Sequence, residues 1–344
     1  MTSYERVSAA LAHREADRVP AAPILCGMTR NLINADYPTW STNAEVCASA
    51  FLRATEVYHT DALITLIDLS VECEAWGADI VYPKDEAAHP NYKNPVIKEI
   101  EDYAKIQTID YRTGKRMMMH LDVCRRLVEK LKGKVPVIAF VFGPMGVLSM
   151  LRNQQEMYMD LYDDVDAVKG AVMRIAETLR DYAAALCDIG VDAIMWDTLF
   201  ASGSIMKKSM WQETEGEAMR MLAQTVRDHG CRNMIHNCGQ RIYFDAQIDS
   251  MQPDAISFLY PPDDCADFRE CKAKYGDKVT LIGCVPPSNA VIGTDEEWDA
   301  ICRDQIRDMA AGGGFVLSTG CEYPANAPDA RLLRLLDIAE QAKY

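Results

Sequence analysis

Short apolar runs alternate with longer amphipathic stretches along most of the chain. Eight of these runs are rich in aliphatic and β-branched residues and end in polar residues or glycine, which is the pattern of buried strands. The predicted strands are 19–27, 62–69, 135–143, 192–198, 233–239, 255–258, 279–285 and 315–321. Apolar residues at helical spacing lie between them, most clearly in 164–189, 211–229, 264–275 and 294–311.

This alternation predicts an α/β fold with parallel strands, because each helix returns the chain to the same end of the sheet. A count of eight strands favours closure into a (β/α)8 TIM barrel, and we expect one such domain over residues 1–344. The longest departure from the rhythm is an insertion at 78–134, with an extra strand at 78–82 and a long helix. Insertions on the active-site face of a barrel commonly shape the substrate pocket, so we expect this one there.

Composition narrows the range of partners. The 36 basic and 51 acidic residues give a net charge of -15, which repels nucleic acids and anionic membranes. The first twenty residues lack the apolar core of a signal peptide, and no later run resembles a membrane span. We therefore expect a cytoplasmic protein that binds neither nucleic acid nor membranes. Its 12 cysteines are then reduced thiols, and most should pack as small apolar side chains.

Two predicted strand ends carry residues suited to a metal ion. Positions i and i+2 of a strand project to the same face, so His236 and Cys238 point together into the predicted barrel mouth. Cys321 ends the eighth predicted strand, from which its thiolate can reach the same ion. Three protein ligands leave a fourth position open, as in catalytic zinc sites. A His-x-Cys pair alone is more often a packing feature, and its place at the carboxyl ends of strands favours the zinc interpretation.

Acidic residues mark further strand ends on the same face. Asp68, Glu72 and Glu74 follow the second predicted strand, and Asp197 ends the fourth. Each could instead cap a helix by accepting backbone N–H bonds. Their convergence favours substrate binding by some of them, or a fourth metal ligand. Met145 lies in a tight loop after the third predicted strand and joins the candidate substrate-binding residues. No catalytic residue beyond the zinc site is predicted.

Taken together, these residues resemble the uroporphyrinogen decarboxylase superfamily, and within it the zinc-dependent corrinoid methyltransferases. The similar segments are 14–20, 142–144, 201–203, 318–324 and 326–328, with Asp68, Glu72, Glu74, Asp197 and Gly283. In the methylcobamide:thiol methyltransferases, including the coenzyme M methyltransferases, a His-x-Cys pair and a distant cysteine hold the zinc. His236, Cys238 and Cys321 match that pattern one by one. The resemblance implies a (β/α)8 barrel with a zinc cofactor and a methylcobamide corrinoid as co-substrate.

The activity that this resemblance implies is methyl transfer between a corrinoid and a small-molecule thiol, because zinc makes a thiol nucleophilic at neutral pH. The alternative is a corrinoid-dependent O-demethylase acting on methoxylated compounds. Uroporphyrinogen decarboxylation is disfavoured, since the segment that carries several arginines in that enzyme offers only Arg30. A non-catalytic corrinoid- or metal-binding protein is a further alternative. The chain lacks the Asp-x-His-x-x-Gly corrinoid signature, so the corrinoid should arrive on a transiently docked partner protein.

Overall fold

A curved sheet of seven parallel strands forms the centre of the protein, which a computed structural model describes over residues 1–344. The strands run in the order β1-β4-β5-β6-β7-β8-β9, and a separate antiparallel pair joins β2 to β3. Strands β4 to β9 are buried at almost every position, as expected where helices cover a parallel sheet. The nine strands are β1 (Leu63–Ile64), β2 (Ile80–Val81), β3 (His89–Pro90), β4 (Val137–Phe142), β5 (Ala193–Asp197), β6 (Arg232–Asn237), β7 (Ala255–Phe258), β8 (Thr280–Val285) and β9 (Phe315–Thr319).

Fourteen α-helices surround this sheet, and several pack directly on the strands that border them in sequence. They are α1 (Ser3–Leu11), α2 (Tyr37–Thr42), α3 (Ala44–Tyr58), α4 (Lys115–Leu131), α5 (Pro144–Arg152), α6 (Gln154–Asp163), α7 (Val165–Asp188), α8 (Lys208–Thr214), α9 (Gly216–Asp228), α10 (Phe244–Met251), α11 (Phe268–Tyr275), α12 (Pro287–Ile292), α13 (Asp295–Met309) and α14 (Asp329–Gln341). None of these helices combines the length and apolar character needed to cross a bilayer.

The α/β class and seven of the eight predicted strands are confirmed, and the exception is the first one. Residues 19–27 form isolated bridges rather than a continuous strand. Their backbone still lies beside β9, because Ala22 N–H donates to the Leu317 carbonyl at 2.9 Å and Leu317 N–H donates to Pro20 at 2.8 Å. Proline has no N–H to donate, so Pro20 and Pro23 interrupt a regular ladder.

A buried aspartate holds this irregular segment in place. The carboxylate of Asp61, just before β1, accepts a hydrogen bond from Ala21 N–H at 2.8 Å. Its oxygens also pair with Arg6 of α1 at 2.6 Å and with Arg18 at 2.7 Å. Two guanidinium groups and a backbone N–H satisfy a carboxylate that is shielded from water. Asp61 therefore ties α1 and the segment after it to the edge of the sheet at β1.

Two predicted helices have different boundaries in the structure. The prediction for 211–229 becomes α8 and α9, which meet at Glu215, whose side chain turns inward. The prediction for 264–275 shortens to α11, because Asp267 caps it by accepting the Glu270 N–H at 2.9 Å. Both differences arise from polar side chains that bond to the backbone or to distant groups.

The insertion at 78–134 contains the antiparallel pair and α4. Strands β2 and β3 pair Ile80 with Pro90, so the predicted extra strand has a partner that the sequence pattern did not indicate. The ring of Tyr82, which follows β2, lies 5.6 Å from the Arg116 guanidinium of α4. That guanidinium in turn pairs with Asp68 beyond the end of β1. The ion pair connects the insertion to the carboxyl end of the sheet.

Candidate metal centre

The carboxyl ends of three neighbouring strands bring polar side chains into one row. In the parallel register, Asp197 of β5 pairs with His236 of β6, and His236 pairs with Ser257 of β7. All three residues are buried. Residues that are directly paired across parallel strands project to the same face of the sheet, so a carboxyl group, an imidazole and a hydroxyl lie side by side.

His236 is fixed by a hydrogen bond on one ring nitrogen. Its Nδ1 lies 3.1 Å from the Ser257 hydroxyl, which leaves Nε2 free for another partner. The ring of Phe140 packs against the imidazole at a tilt, with the two ring centroids 5.7 Å apart. Burial alone would lower the His236 pKa, but interactions with Cys321 and Asp197 outweigh it and the pKa is raised. The imidazole thus sits among groups of negative charge.

The structure brings both cysteines of the predicted triad to this histidine. Cys238 follows the last residue of β6 and lies two positions beyond His236. Cys321 lies two positions beyond the end of β9, which is the third strand from β6 in the sheet order. The ligand atoms of the three residues nevertheless lie within 4.8 Å of one another. The curvature of the sheet brings the ends of β6 and β9 close enough for these side chains to meet.

The two thiols share one negative charge. A hydrogen bond from the Cys238 side chain, opposed by burial and assisted by His236, brings the pKa of Cys321 well below its usual value. The same hydrogen bond, together with burial, raises the pKa of Cys238. A second thiolate beside the first is unfavourable because like charges repel at short range in a poorly solvated site. A divalent cation would remove that penalty.

This donor set fits zinc. Bond lengths of about 2.3 Å to sulfur and 2.0 Å to nitrogen place the donors of a tetrahedral ion roughly 3.5 Å apart. Donor atoms that already lie within 4.8 Å of one another can reach this spacing with small rotations of the side chains. Thiolate and imidazole are the ligands that zinc takes most often in proteins. The contact of His236 Nδ1 with Ser257 also matches the hydrogen bond that metal-bound histidines make through their other ring nitrogen.

Two further carboxyl groups border the triad. Burial raises the pKa of Asp197 to about 6, and its Oδ1 accepts the Leu199 N–H at 3.1 Å. Glu322 follows Cys321 directly, and burial raises its pKa to about 7. Of the carboxylates predicted from the sequence, Asp197 is the one that lies in register beside His236 of the triad. Glu322 belongs to the motif that carries the family resemblance but was not predicted as a site residue.

Asp68 and Glu74 are engaged in contacts that hold α4. Both carboxylate oxygens of Asp68 bond to the guanidinium of Arg116, and Oδ1 also accepts the N–H and hydroxyl of Ser70. Glu74 accepts the Arg116 backbone N–H at 3.4 Å in the first turn of α4. Glu74 therefore caps the start of α4, which is the alternative role that the sequence analysis gives for these strand-end acids. Neither residue belongs to the cluster of His236, Cys238 and Cys321 whose ligand atoms meet.

Glu72 and Glu215 hold the junction between the end of β4 and the first turn of α5, which contains Met145. Glu72 accepts the Phe142 N–H at 3.3 Å, and Glu215 accepts the Met145 N–H at 2.8 Å. The second oxygen of Glu215 accepts the indole N–H of Trp211 at 2.8 Å. Burial raises the pKa of Glu72 to about 8 and that of Glu215 to about 7. Met145 lies in the first turn of α5 and not in the predicted loop, because Pro144 starts a helix there. Its side chain is fully buried, so its predicted contact with substrate would require this junction to move.

Besides Glu322, sequence reasoning missed two residues that shape this site, Ser257 and Glu215. Ser257 carries the inward position of a predicted strand, and aligning that strand with 233–239 would have placed it beside His236. Glu215 had no comparable signal, because it lies inside a stretch with uniform helical periodicity. Its role depends on Met145, which is 70 residues away along the chain.

Replacing Glu72 with glutamine should reduce the loss of stability at high pH. The folded-state pKa of about 8 lies above the ordinary value of 4.5, so the folded protein keeps a proton that the unfolded chain releases. This contribution is complete below pH 4.5 and is lost as the pH rises toward 8. Glutamine keeps the acceptor for Phe142 and cannot ionise. Between pH 5 and pH 8, denaturant unfolding should show the variant losing on the order of 3 kcal/mol less than the parent. Equal losses in both proteins would contradict the raised pKa.

Comparison with known proteins places the chain in a family. The family model described as uroporphyrinogen decarboxylase (URO-D) matches residues 2–342. Methylcobamide:CoM methyltransferase MtbA of Methanosarcina mazei is 23% identical, and the alignment covers 100% of both chains. Methylated-thiol--coenzyme M methyltransferase of the same organism is 22% identical over 95% of this chain and 86% of that protein. A solved structure of a methyltransferase from Methanosarcina mazei has a TM-score of 0.84 at 20% identity and covers 99% of both chains, which shows a shared fold. Because the family model spans almost its entire length, this chain belongs to the uroporphyrinogen decarboxylase family.

Proposed function

We propose that this protein is a zinc-dependent methyltransferase that moves a methyl group between a corrinoid, carried by a partner protein, and a small-molecule thiol. The observation that carries the proposal is the meeting of His236, Cys238 and Cys321 at the carboxyl end of the sheet. The names of two full-length relatives, a methylcobamide:CoM methyltransferase and a methylated-thiol--coenzyme M methyltransferase, support the same chemistry. We propose that the reaction takes place in the cytoplasm, as the sequence predicts.

The proposed architecture is a single (β/α)8 barrel over residues 1–344. Residues 20–24 would serve as its eighth member between β9 and β1. The hydrogen bonds of Ala22 to Leu317 and of Asp61 N–H to the Ala21 carbonyl, at 2.9 and 2.8 Å, support this position. The insertion at 78–134 would then border the mouth, which the contact of Arg116 with Asp68 supports.

Zinc is the proposed metal, held by His236, Cys238 and Cys321. When bound, it supplies the Lewis acidity that lowers the pKa of a substrate thiol from its ordinary value of about 8.5. Ser257 orients the imidazole through Nδ1, so that Nε2 faces the two sulfurs. Asp197, with a pKa of about 6, is ionised at neutral pH and adds a negative charge that favours a cation.

In the transfer step, the sulfur of the substrate forms a bond to the methyl carbon while the carbon–cobalt bond of the corrinoid breaks. The electron pair of that bond stays on cobalt, and the thiol proton leaves to solvent. The chain contributes position and exclusion of water: Phe140 packs against the imidazole, and Glu72 and Glu215 hold the junction of β4 and α5. Substrate-binding roles for Asp68, Glu72, Glu74, Asp197 and Met145 remain predictions.

Decarboxylation of a porphyrinogen has less support. Arg30 is the one arginine of the segment 21–30, and its guanidinium already donates to the Ala35 carbonyl at 3.1 Å. It also lies 4.3 Å from the ring of Tyr37. These contacts engage the one cationic side chain that this segment could offer to a polycarboxylate substrate.

The proposed partner docks on the face that carries the metal-binding residues. Several exposed apolar side chains lie in segments that follow the carboxyl ends of strands. Ile292, in α12 after β8, is 83% exposed, and Tyr162, in α6 after β4, is 75% exposed. Exposed apolar groups on one face are typical of protein interaction sites. Tyr260, which follows β7, is 39% exposed. We name these three exposed side chains, Tyr162, Tyr260 and Ile292, the rim.

The purified protein should contain about one zinc ion per chain, measured by atomic emission. Cys238→Ala and Cys321→Ala should each lose most of the metal, because a tetrahedral site loses a charged ligand. Cys265→Ala, which removes a partly exposed cysteine outside the triad, should keep it. Circular dichroism should show that all three variants fold. Full zinc occupancy in both triad variants would contradict the site.

A small thiol should bind with the release of roughly one proton at neutral pH. Because a free thiol with a pKa of about 8.5 is protonated at pH 7, its binding as a thiolate must release that proton. Calorimetry in buffers of different ionisation enthalpy measures the number released, and the corresponding alcohol is the control. The same thiol should demethylate methylcobalamin. If thiols neither bind nor react while a cobalt(I) corrinoid demethylates a methoxylated aromatic, the O-demethylase alternative replaces the thiol proposal.

Ile292→Asp should reduce turnover about tenfold when the methyl donor is a corrinoid-carrying protein, because a charge on the rim opposes apolar contact. Turnover with free methylcobalamin should stay unchanged, since the metal-binding residues are not altered. Leu333→Asp, which places the same charge on the exposed surface of α14, is the matched control and should behave as the parent with both donors. Equal rates of Ile292→Asp and parent with the carrier protein would exclude the rim as the docking surface.

A further inference from the structure

A cavity of about 210 Å³ lies at the amino ends of β4, β5 and β6, beneath α1. Most of the residues that line it are apolar. Ile138, Ala193 and Met234 form its wall on the side of the sheet, and Tyr4 and Val7 of α1 cover it. The metal-binding residues do not line it, because they lie at the opposite ends of the strands.

The register of the sheet explains why space remains here. Ile138 of β4 pairs with Ala193 of β5, and Ala193 pairs with Arg232 of β6. The alanine fills little of this layer, and the arginine is largely exposed and pairs with Asp254. The next paired layer on the same face consists of Phe140, Met195 and Met234. That layer lies between the cavity and the row that contains His236.

The cavity has the size and the walls for one apolar ring. A cavity of about 150 Å³ holds benzene, and drug-sized ligands need roughly 300 Å³ or more. The thioether of Met234 favours contact with an aromatic ring. Ser8 and Gly230 also line the cavity and are exposed, so it opens to solvent between α1 and the turn before β6.

The charged residues of the lining are Asp192 and Arg232. Arg232 already donates to Asp254 at 2.7 Å. One oxygen of Asp192, Oδ2, accepts the Val137 N–H at 2.8 Å, and the other has no hydrogen-bond partner in the chain. Burial raises the pKa of Asp192, and the Val137 N–H and the charge of Lys132 oppose this effect, but Lys132 forms no ion pair with it. The cavity therefore presents an unneutralised carboxylate.

We propose that this cavity binds a small organic ammonium ion, with its ammonium group against Asp192 and a single apolar ring against Met234 and Val7. A neutral ring would leave the carboxylate without a partner, and an anion would be repelled by it. The proposal does not depend on methyl transfer or on zinc.

The test uses the full-length protein and three probes that share one ring and differ in charge: phenethylamine, phenethyl alcohol and phenylacetate. Calorimetric titration at neutral pH measures the affinity of each. We expect the amine to bind, the alcohol to bind about tenfold more weakly because it cannot make a charged hydrogen bond, and phenylacetate not to bind. The amine should bind equally after a chelator has removed any metal, so the result is independent of the proposed methyl transfer.

Three variants locate the site. Asp192→Asn keeps an oxygen for the Val137 N–H and removes the charge, so it should bind the amine about tenfold more weakly than the parent does. Ala193→Leu fills part of the cavity and should abolish binding of the amine and of the alcohol. Asp188→Asn removes the same charge from an exposed position at the end of α7, outside the lining. It is the matched control and should bind the amine as the parent does.

The proposal is wrong if none of the probes binds or if phenylacetate binds as tightly as phenethylamine. It is also wrong if either Asp192→Asn or Ala193→Leu binds the amine as tightly as the parent. Circular dichroism checks that the variants fold, and if one of these two does not, the other decides the location.

Discussion

The parallel alignment of β5, β6 and β7 is the constraint on which the candidate site depends. It places Asp197, His236 and Ser257 in one row, so that the imidazole has a hydroxyl on one side and a carboxyl group on the other. A shift of one residue in either pairing would turn these side chains to opposite faces of the sheet. The contact of Cys321 with β6 residues then follows from the curvature that brings β9 around to them.

Buried carboxyl groups are the second organising feature. Glu72 accepts the N–H of Phe142 at the end of β4, and Glu215 accepts that of Met145 in α5. Asp197 and Glu322 border the thiols. Desolvation is the largest contribution to the pKa of each, and it raises all four. Burying so much acidic character is unfavourable unless protons, donors or a cation neutralise it. A cation at the triad would relieve the repulsion there, since a thiolate at Cys321 raises the pKa of Cys238.

Much of this arrangement could be predicted from local pattern, and what could not depends on long-range contacts. Strand periodicity located β4 to β9, and the spacing of two identified His236 and Cys238 as residues of one face. Pro20 and Pro23 lack the N–H groups that a regular strand needs. The apolar pattern around them nevertheless predicted a strand at 19–27. The engagement of Asp68 by Arg116 and of Met145 by Glu215 joins residues 48 and 70 positions apart. No local pattern encodes such pairs, so buried structural acids and solvent-facing ones look alike in the sequence.

The irregular segment at 20–24 has a consequence for the movement of ligands. It borders β9 through hydrogen bonds of Ala22 with Leu317 and Ser318, and the Ile24 carbonyl accepts the Tyr323 N–H at 2.7 Å. Few ladder bonds hold this seam, so local unfolding should begin here before it reaches the regular strands. Because Cys321 lies between two of these contacts, a brief opening of the seam would draw one thiolate away from the other two metal-binding residues. Such an opening would let an ion enter and leave at the seam without passing through the face on which the partner is proposed to dock.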